Sequence, residues 1–151
     1  MTRVPLPDSF LRLPITHRAL HDRAAGRIEN SPSAIRAAVE AGYGIEIDLQ
    51  LASDGVPMVF HDETLDRLTG ETGPVNTRSA AELGRIRLTG STDSIPTLAD
   101  VVRHIEHCGA QGSPLPLAVY RWLEEGLKAY CQQDTWAMVL LARQFSGQGS
   151  N

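Results

Sequence analysis

Residues that could do chemistry lie close together in the stretch 44–62. Glu46 and Asp48 alternate with apolar residues, and His61 ends a second apolar run. Strict alternation predicts a β-strand with two different faces, so the two carboxylates share a face. Carboxylates on one face repel each other unless a cation or hydrogen-bond donors lie between them.

The Asp54-Gly55 pair predicts how His61 returns to that face. It stands between the two apolar runs and is typical of a two-residue hairpin turn. Such a turn places Asp48 opposite His61, so that Glu46, Asp48 and His61 outline a metal-dependent acid/base site. Two alternatives stay open: an ordinary cross-strand ion pair on a solvated face, and a register shifted by one residue, which would move His61 to the other face.

The elements before this hairpin predict a βαβ unit. Residues 13–17 read as a short strand, and Ser31 with Pro32 is typical of a helix N-terminus. Gly42 is a natural end for that helix, and a strand follows from Gly44. Strand, helix and strand in this order indicate an α/β fold with a parallel sheet.

Two further helices are predicted after the hairpin. Ser79 and Glu82 have capping-box spacing, which predicts a short helix to about Ile86. Thr97 caps another helix, which Gly109 ends. Beyond it, residues 117–120 could form a third strand, residues 121–144 have a helical pattern, and residues 146–151 read as a disordered tail.

The overall composition excludes several classes of protein. The 151 residues, 42% of them hydrophobic, have the size and composition of one ordinary globular domain. A formal charge of −4 argues against a nucleic-acid-binding surface. No apolar run is long enough to span a bilayer, and the N-terminus has no signal-peptide core, so we expect a cytoplasmic protein. Cys108 and Cys131 imply neither a disulfide framework nor a zinc site.

A series of short motifs extends over residues 15–100, which is more than half of the chain. They are His17-Arg18, Glu29-Asn30-Ser31, Ala41-Gly42, Glu46-Ile47-Asp48, Asp54-Gly55, Val59-Phe60-His61-Asp62, Leu65-Asp66-Arg67-Leu68-Thr69, Gly73 and Ile95-Pro96-Thr97-Leu98. In their order and spacing these motifs resemble the glycerophosphodiester phosphodiesterase family, whose members have a TIM (β/α)8 barrel.

The resemblance implies a role for each site residue. His17 and His61 look like the pair that performs general acid/base catalysis, and Arg18 looks like the contact for the substrate phosphate. The divalent metal, Ca²⁺ or Mg²⁺, would be held by three carboxylates: Glu29, Glu46 and Asp48. The implied reaction is hydrolysis of a small-molecule glycerophosphodiester to glycerol 3-phosphate and an alcohol. Histidine suits it because its unperturbed pKa lies near neutrality, and a hard cation on oxygen ligands suits an anionic phosphodiester.

The sequence departs from the family pattern at three points. Ala19 stands where the family usually has glycine, which is costly if that position needs a positive φ. The Glu-x-Lys segment of the next strand, which supplies a metal ligand, is replaced by Tyr120-Arg121-Trp122. A whole barrel takes typically ~250 residues, which is more than this chain has. We therefore expect residues 1–118 to form only the N-terminal part of a barrel, incomplete or truncated.

Residues 119–151 are predicted to be an unrelated helical segment with its tail. They weakly resemble the last motif of an RNase H-like exonuclease, with Asp134 as the metal ligand; an ordinary helix-capping or solvated Asp134 is the favoured alternative. A non-catalytic remnant that binds metal and phosphate is the main alternative to an enzyme. Such a remnant could form a homo-oligomer that covers an open sheet edge.

Overall fold

The computed structural model of the protein describes residues 14–109 and 137–141. Within them the chain forms strands and helices that we number in order. They are β1 (Ile15–Thr16), α1 (Pro32–Ala41), β2 (Gly44–Leu51), β3 (Pro57–Val59), α2 (Ala80–Leu83), α3 (Leu98–Gly109) and β4 (Ala137–Leu141), with short 3-10 turns at Arg23–Ala25 and Val75–Thr77.

Helix α1 begins and ends at the residues that the sequence indicates. The Ser31 side chain accepts a hydrogen bond from the Ala34 amide, and Pro32 occupies the first turn, where its missing N–H costs nothing. Gly42 ends the helix in the left-handed conformation, with φ 72°. The predicted helix is confirmed.

The sheet is built around β2. Strand β1 pairs with it in parallel, with Thr16 opposite Ile45, so β1, α1 and β2 form the predicted βαβ unit. Strand β3 pairs with β2 antiparallel. The C-terminal end of β1 therefore lies beside the start of β2, next to the carboxylates that β2 carries.

The register of the β2–β3 hairpin differs by one residue from the prediction. Leu49 lies opposite Val59, where the two-residue turn predicts Phe60. The Gly55 amide donates to the Ala52 carbonyl at 2.9 Å, and the φ of Gly55 is 78°. The loop therefore comprises residues 53–55, and its last residue takes the left-handed conformation, as in three-residue hairpins. The predicted opposition of Asp48 and His61 is wrong, because one more residue in the loop shifts every later pair.

Apolar residues form two cores on opposite sides of β2 and β3. In the first core the sheet packs against α1 and α3. The second core is formed mainly by apolar residues of the long segment 60–97. Members of the first include Ile35, Ile47, Val59 and Val102; members of the second include Met58, Phe60, Leu65, Val75 and Leu83. Val59 and Met58 alternate between the two cores, as successive strand residues do.

Both later helices start where they are predicted. The Ser79–Glu82 capping box is present, although α2 ends at Leu83, before the predicted Ile86. Helix α3 ends at Gly109 as predicted, and the Thr97 hydroxyl accepts from the Asp100 amide at 3.0 Å. Within the described ranges, no helix combines the length and apolarity needed to cross a bilayer.

The helical interpretation of residues 121–144 is wrong for residues 137–141. These residues form β4, which pairs antiparallel with β2 from Ile45 to Leu49. A short apolar run does not distinguish a strand from a helix by periodicity, and in the folded chain the backbone groups of this run pair with those of β2. The predicted third strand, the Asp134 motif and the C-terminal tail lie outside the described residues.

Candidate active site

The residues after β1 adopt a strained conformation that ties them to β2. Arg18 and Ala19 both have positive φ, 55° and 64°. The Arg18 amide donates to Glu46 Oε2 at 2.7 Å, and the Ala19 amide donates to the Glu46 carbonyl at 3.0 Å. Consecutive left-handed residues that are not glycine are costly, and such strain gathers at functional sites. Position 19 therefore has a positive φ, which is the condition under which alanine in place of glycine is costly there.

Asn30 holds Asp48 from the other side. Its side chain donates to Asp48 Oδ2 at 3.0 Å and accepts from the Asp48 amide at 3.3 Å. Asn30 is also left-handed, with φ 58°, and its amide donates to the Arg18 carbonyl at 2.9 Å. Asparagine tolerates this conformation better than most residues, so one side chain positions both the loop and the carboxylate.

Glu46 and Asp48 form a buried acidic pair beside a guanidinium. Each is 7% exposed, and Arg18 Nε lies 3.5 Å from Asp48 Oδ2. Glu46 Oε1 is buried and has no hydrogen-bond partner within the described ranges. An orphaned buried carboxylate oxygen is costly, and a cation would satisfy it. The pair therefore fits two oxygen ligands of a hard divalent metal.

The third predicted metal ligand, Glu29, lies between two arginines. Its Oε1 is 2.9 Å from Arg18 Nη1 and 2.6 Å from Arg67 Nη2. Burial alone would raise the pKa of Glu29, but hydrogen bonds from Arg67 and Arg18 outweigh it and hold the pKa below its ordinary value. Among the described residues, no group of three His, Cys, Asp or Glu side chains is arranged to hold a metal ion. The part of a metal site that can be recognised is therefore the pair on β2.

His61 follows β3 and is held by its own neighbour and by β2. Its Nδ1 lies 2.6 Å from Asp62 Oδ1, and its carbonyl accepts from Gln50 Nε2 at 2.9 Å. Gln50 lies on the same face of β2 as Glu46 and Asp48, since side chains two apart share a face. The hydrogen bond from Gln50 holds the His61 backbone near the acidic face, although the strand register no longer places its ring there.

His17 is exposed at the end of β1, between Thr16, which pairs with β2, and Arg18. The structure thus brings Arg18, Glu46 and Asp48 together directly and joins Glu29 to them through Arg18. His61 connects to the same cluster by a chain of contacts through Asp62, Arg67 and Glu29. Three residues of this cluster had no role in the prediction from sequence, although all three lie in the motifs that carry the family resemblance: Asn30, Asp62 and Arg67.

Curated relatives match about half of the chain. The human and bovine glycerophosphodiester phosphodiesterase 1 proteins are each 36% identical to it over 83 residues, which is 49% of this chain and 25% of each relative. A glycerophosphodiester phosphodiesterase of Caldanaerobacter subterraneus is 38% identical over 82 residues, 33% of its length. The chain thus spans a quarter to a third of these relatives.

Solved structures of similar proteins show the same fold. A glycerophosphoryl diester phosphodiesterase of Parabacteroides distasonis superposes with a TM-score of 0.59 at 28% identity, covering 78% of this chain and 44% of that one. An Oleispira antarctica phosphodiesterase in complex with the product sn-glycerol-3-phosphate gives 0.57 at 29% identity, with 67% and 43% covered. The fold is therefore an incomplete TIM barrel, as the resemblance implied.

The family model for glycerophosphoryl diester phosphodiesterases matches residues 17–112, which is more than half of the chain. That range contains the left-handed loop after β1, the acidic pair on β2 and the segment after β3. The chain belongs to the glycerophosphoryl diester phosphodiesterase family.

Proposed function

We propose that this site hydrolyses glycerophosphodiesters to glycerol 3-phosphate and an alcohol. One observation carries the proposal: Arg18 Nε and Glu46 Oε1 are both buried, and neither has a hydrogen-bond partner within the described ranges. One is a cationic donor and the other an anionic acceptor. A phosphate oxygen and a metal cation, bound side by side, would satisfy both.

The two histidines supply the proton transfers in this proposal. One imidazole removes a proton from the nucleophile, which is water or a neighbouring glycerol hydroxyl, and the other protonates the departing alkoxide. His17 is exposed at the end of β1, where a substrate could reach it. Arg18 orients the phosphate for both steps, since guanidinium offers a planar fork of donors.

Glu46 and Asp48 would hold the divalent cation, Ca²⁺ or Mg²⁺. When bound, such an ion neutralises part of the charge that the phosphodiester carries and develops during attack. Glu29 would have to release Arg18 and Arg67 before it could serve as the third ligand. Asn30 keeps Asp48 oriented in either case.

The test is hydrolysis of glycerophosphocholine by the whole chain with Ca²⁺ or Mg²⁺. We expect turnover that EDTA abolishes and that His17→Ala and His61→Ala each reduce by about 10²–10⁴-fold, the usual contribution of general acid/base groups. His21→Ala is the matched control, because His21 is another exposed histidine beyond β1. Turnover that survives either of the first two substitutions would contradict the assigned roles.

A metal- and phosphate-binding module without turnover is the second candidate. It is favoured by the finding that the described part of the chain offers two carboxylate ligands, where the resemblance implied three. Thermal stabilisation by Ca²⁺ and glycerol 3-phosphate without hydrolysis would support it. Size-exclusion chromatography of the same sample tests the predicted homo-oligomer, and fractionation of cells tests the predicted cytoplasmic location.

A further inference from the structure

The guanidinium of Arg67 binds two carboxylates of the site, those of Glu29 and Asp62. Its Nη2 and Nη1 lie 2.6 Å and 3.0 Å from the two Glu29 oxygens. Its Nε and Nη2 lie 2.6 Å and 3.0 Å from the two Asp62 oxygens. Glu29 precedes α1 and Asp62 follows β3, so one side chain connects two segments that are distant in sequence. The fixed fork of arginine suits this geometry, and lysine could not reproduce it.

Asp62 in turn contacts the imidazole of His61. Its Oδ1 lies 2.6 Å from His61 Nδ1. Hydrogen bonds from Arg67, followed by those from His61, hold the pKa of Asp62 below its ordinary value, so the carboxylate is ionised near neutral pH. An ionised carboxylate only accepts hydrogen bonds, so His61 Nδ1 must carry the proton. In the neutral ring, Nε2 is then the basic nitrogen.

At the other end of the same chain of contacts, Glu29 fixes Arg18. Glu29 Oε1 accepts from Arg18 Nη1 at 2.9 Å while it also accepts from Arg67. The Glu29 and Asp62 side chains are only 14% and 21% exposed, so these pairs are better shielded than ordinary surface ion pairs. Arg67 itself is 46% exposed, which places it at the rim of the site.

We propose that Asp62 is the positioning residue for His61, and that Arg67 sets Asp62 and the Glu29–Arg18 pair in one fixed arrangement. A single guanidinium then determines both the tautomer of the histidine and the orientation of the arginine. The catalytic meaning of this arrangement rests on the proposed function, but the arrangement itself does not. If the ion pairs were incidental, substitution of Asp62 or Arg67 would change neither the tautomer of His61 nor the binding of phosphate.

The first test reads the tautomer of His61 by nitrogen-15 NMR of the whole chain at a pH where the ring is neutral. We expect the Nδ1–H form in the unmodified protein. Asp62→Asn, which keeps the shape of the side chain, should shift His61 towards the Nε2–H form, because an amide can donate to Nδ1. A His61 ring in the Nε2–H form before substitution would overturn the proposal. So would a tautomer that is unchanged both in Asp62→Asn and in Asp62→Ala, because alanine neither accepts from nor donates to Nδ1.

The second test measures the binding of inorganic phosphate by calorimetry, which reports whether Arg18 is oriented to contact phosphate. Arg67→Met should weaken binding by about tenfold, the effect of losing one oriented charge-assisted contact. The phosphate affinity of Arg67→Lys should lie between those of the unmodified protein and of Arg67→Met. Arg78→Met is the matched control, because Arg78 also bridges a loop, by a 3.0 Å ion pair to Glu71 and a hydrogen bond to the Thr72 carbonyl. Equal losses in Arg67→Met and Arg78→Met would contradict the proposal.

These two measurements separate this proposal from the proposed function. If glycerophosphocholine is not hydrolysed but the tautomer and phosphate responses appear, the proposed function fails and the positioning role stands. If hydrolysis proceeds and Asp62→Asn changes neither the tautomer nor kcat, the positioning role fails and the proposed function stands. Circular dichroism of each variant checks that the fold is retained.

Discussion

Ala19 carries a methyl group at a position where the backbone is left-handed. Its φ of 64° costs a residue with a Cβ about 1–2 kcal/mol, and glycine would remove that strain. Glycine would also lose a buried methyl worth about 0.8 kcal/mol and add roughly 0.5–1 kcal/mol of unfolded-state entropy. The two effects nearly cancel.

We therefore expect Ala19→Gly to change the free energy of unfolding by less than about 1 kcal/mol, because strain relief offsets the losses. Ala19→Val should destabilise by about 2–3 kcal/mol, because a β-branched residue fits neither the positive φ nor the packed site, where Ala19 is 2% exposed. Urea unfolding measures both variants. A valine variant as stable as the glycine variant would contradict a left-handed residue 19.

The Asn30 side chain makes two hydrogen bonds, both to Asp48, so we expect a larger effect when it is removed. Asn30→Ala removes both hydrogen bonds to Asp48, leaves buried polar groups without partners and places alanine at φ 58°. We expect a loss of about 2–4 kcal/mol in the free energy of unfolding. Asn76→Ala is the control: Asn76 is exposed, and its substitution should cost less than about 0.5 kcal/mol. Similar losses at the two positions would contradict the role of Asn30.

At the scale of elements, the hairpin shows why register depends on more than the turn signal. The Ser53 amide donates to the Arg78 carbonyl at 2.8 Å, and Asp54 Oδ2 accepts from the Ala80 amide at 3.1 Å. These bonds connect the loop to Arg78 and to the first residue of α2. A local Asp-Gly pair favours a two-residue turn, but contacts with a distant segment hold a longer loop.

Gly55→Ala tests this loop without a packing change. An added Cβ would meet nothing within 4 Å, so its cost in the folded state is only that of placing alanine at φ 78°. We expect a net loss of about 0.5–1.5 kcal/mol in the free energy of unfolding, because the strain of about 1–2 kcal/mol exceeds the roughly 0.5–1 kcal/mol that alanine gains from the lower entropy of the unfolded chain. Gly70→Ala is matched to it, because Gly70 also has open space but no positive φ, and should cost less than about 0.5 kcal/mol. A Gly55→Ala variant as stable as the Gly70→Ala variant would contradict a left-handed Gly55.

At the scale of the whole molecule, the ion pairs around Arg67 join segments from both sides of the hairpin. Arg67 lowers the pKa of Asp62, and with Arg18 it lowers the pKa of Glu29 against the effect of burial. A carboxyl group with a lowered folded-state pKa stabilises the protein above its unfolded pKa, which is about 4 for Asp and Glu. That stability is lost as the pH falls through the folded pKa.

Arg67→Met should therefore destabilise the protein at neutral pH and have a smaller effect in acid. We expect the difference in free energy of unfolding between the two proteins to shrink as the pH falls below about 4, where these carboxylates become protonated. Urea unfolding at several pH values measures it. A difference that is constant with pH would show that Arg67 stabilises by packing of its stem.

The sequence by itself determined the features that depend on neighbouring residues. Ser31, Pro32 and Gly42 predicted α1 because caps and terminators act within one turn of a helix. The alternation from Ile45 to Leu51 predicted β2 and put Glu46 and Asp48 on one face. The motif order also identified the family and the incomplete barrel, because it samples many positions at once.

Only the tertiary structure decided the partners that lie far apart in the chain. Arg67 meets Glu29 across 38 residues, and no local pattern indicates that contact. The hairpin register likewise depends on contacts with residues 78–80, and the strand at residues 137–141 depends on its pairing with β2. Backbone amides and buried charges must find partners wherever the fold brings them, so their pairing is a property of the folded chain.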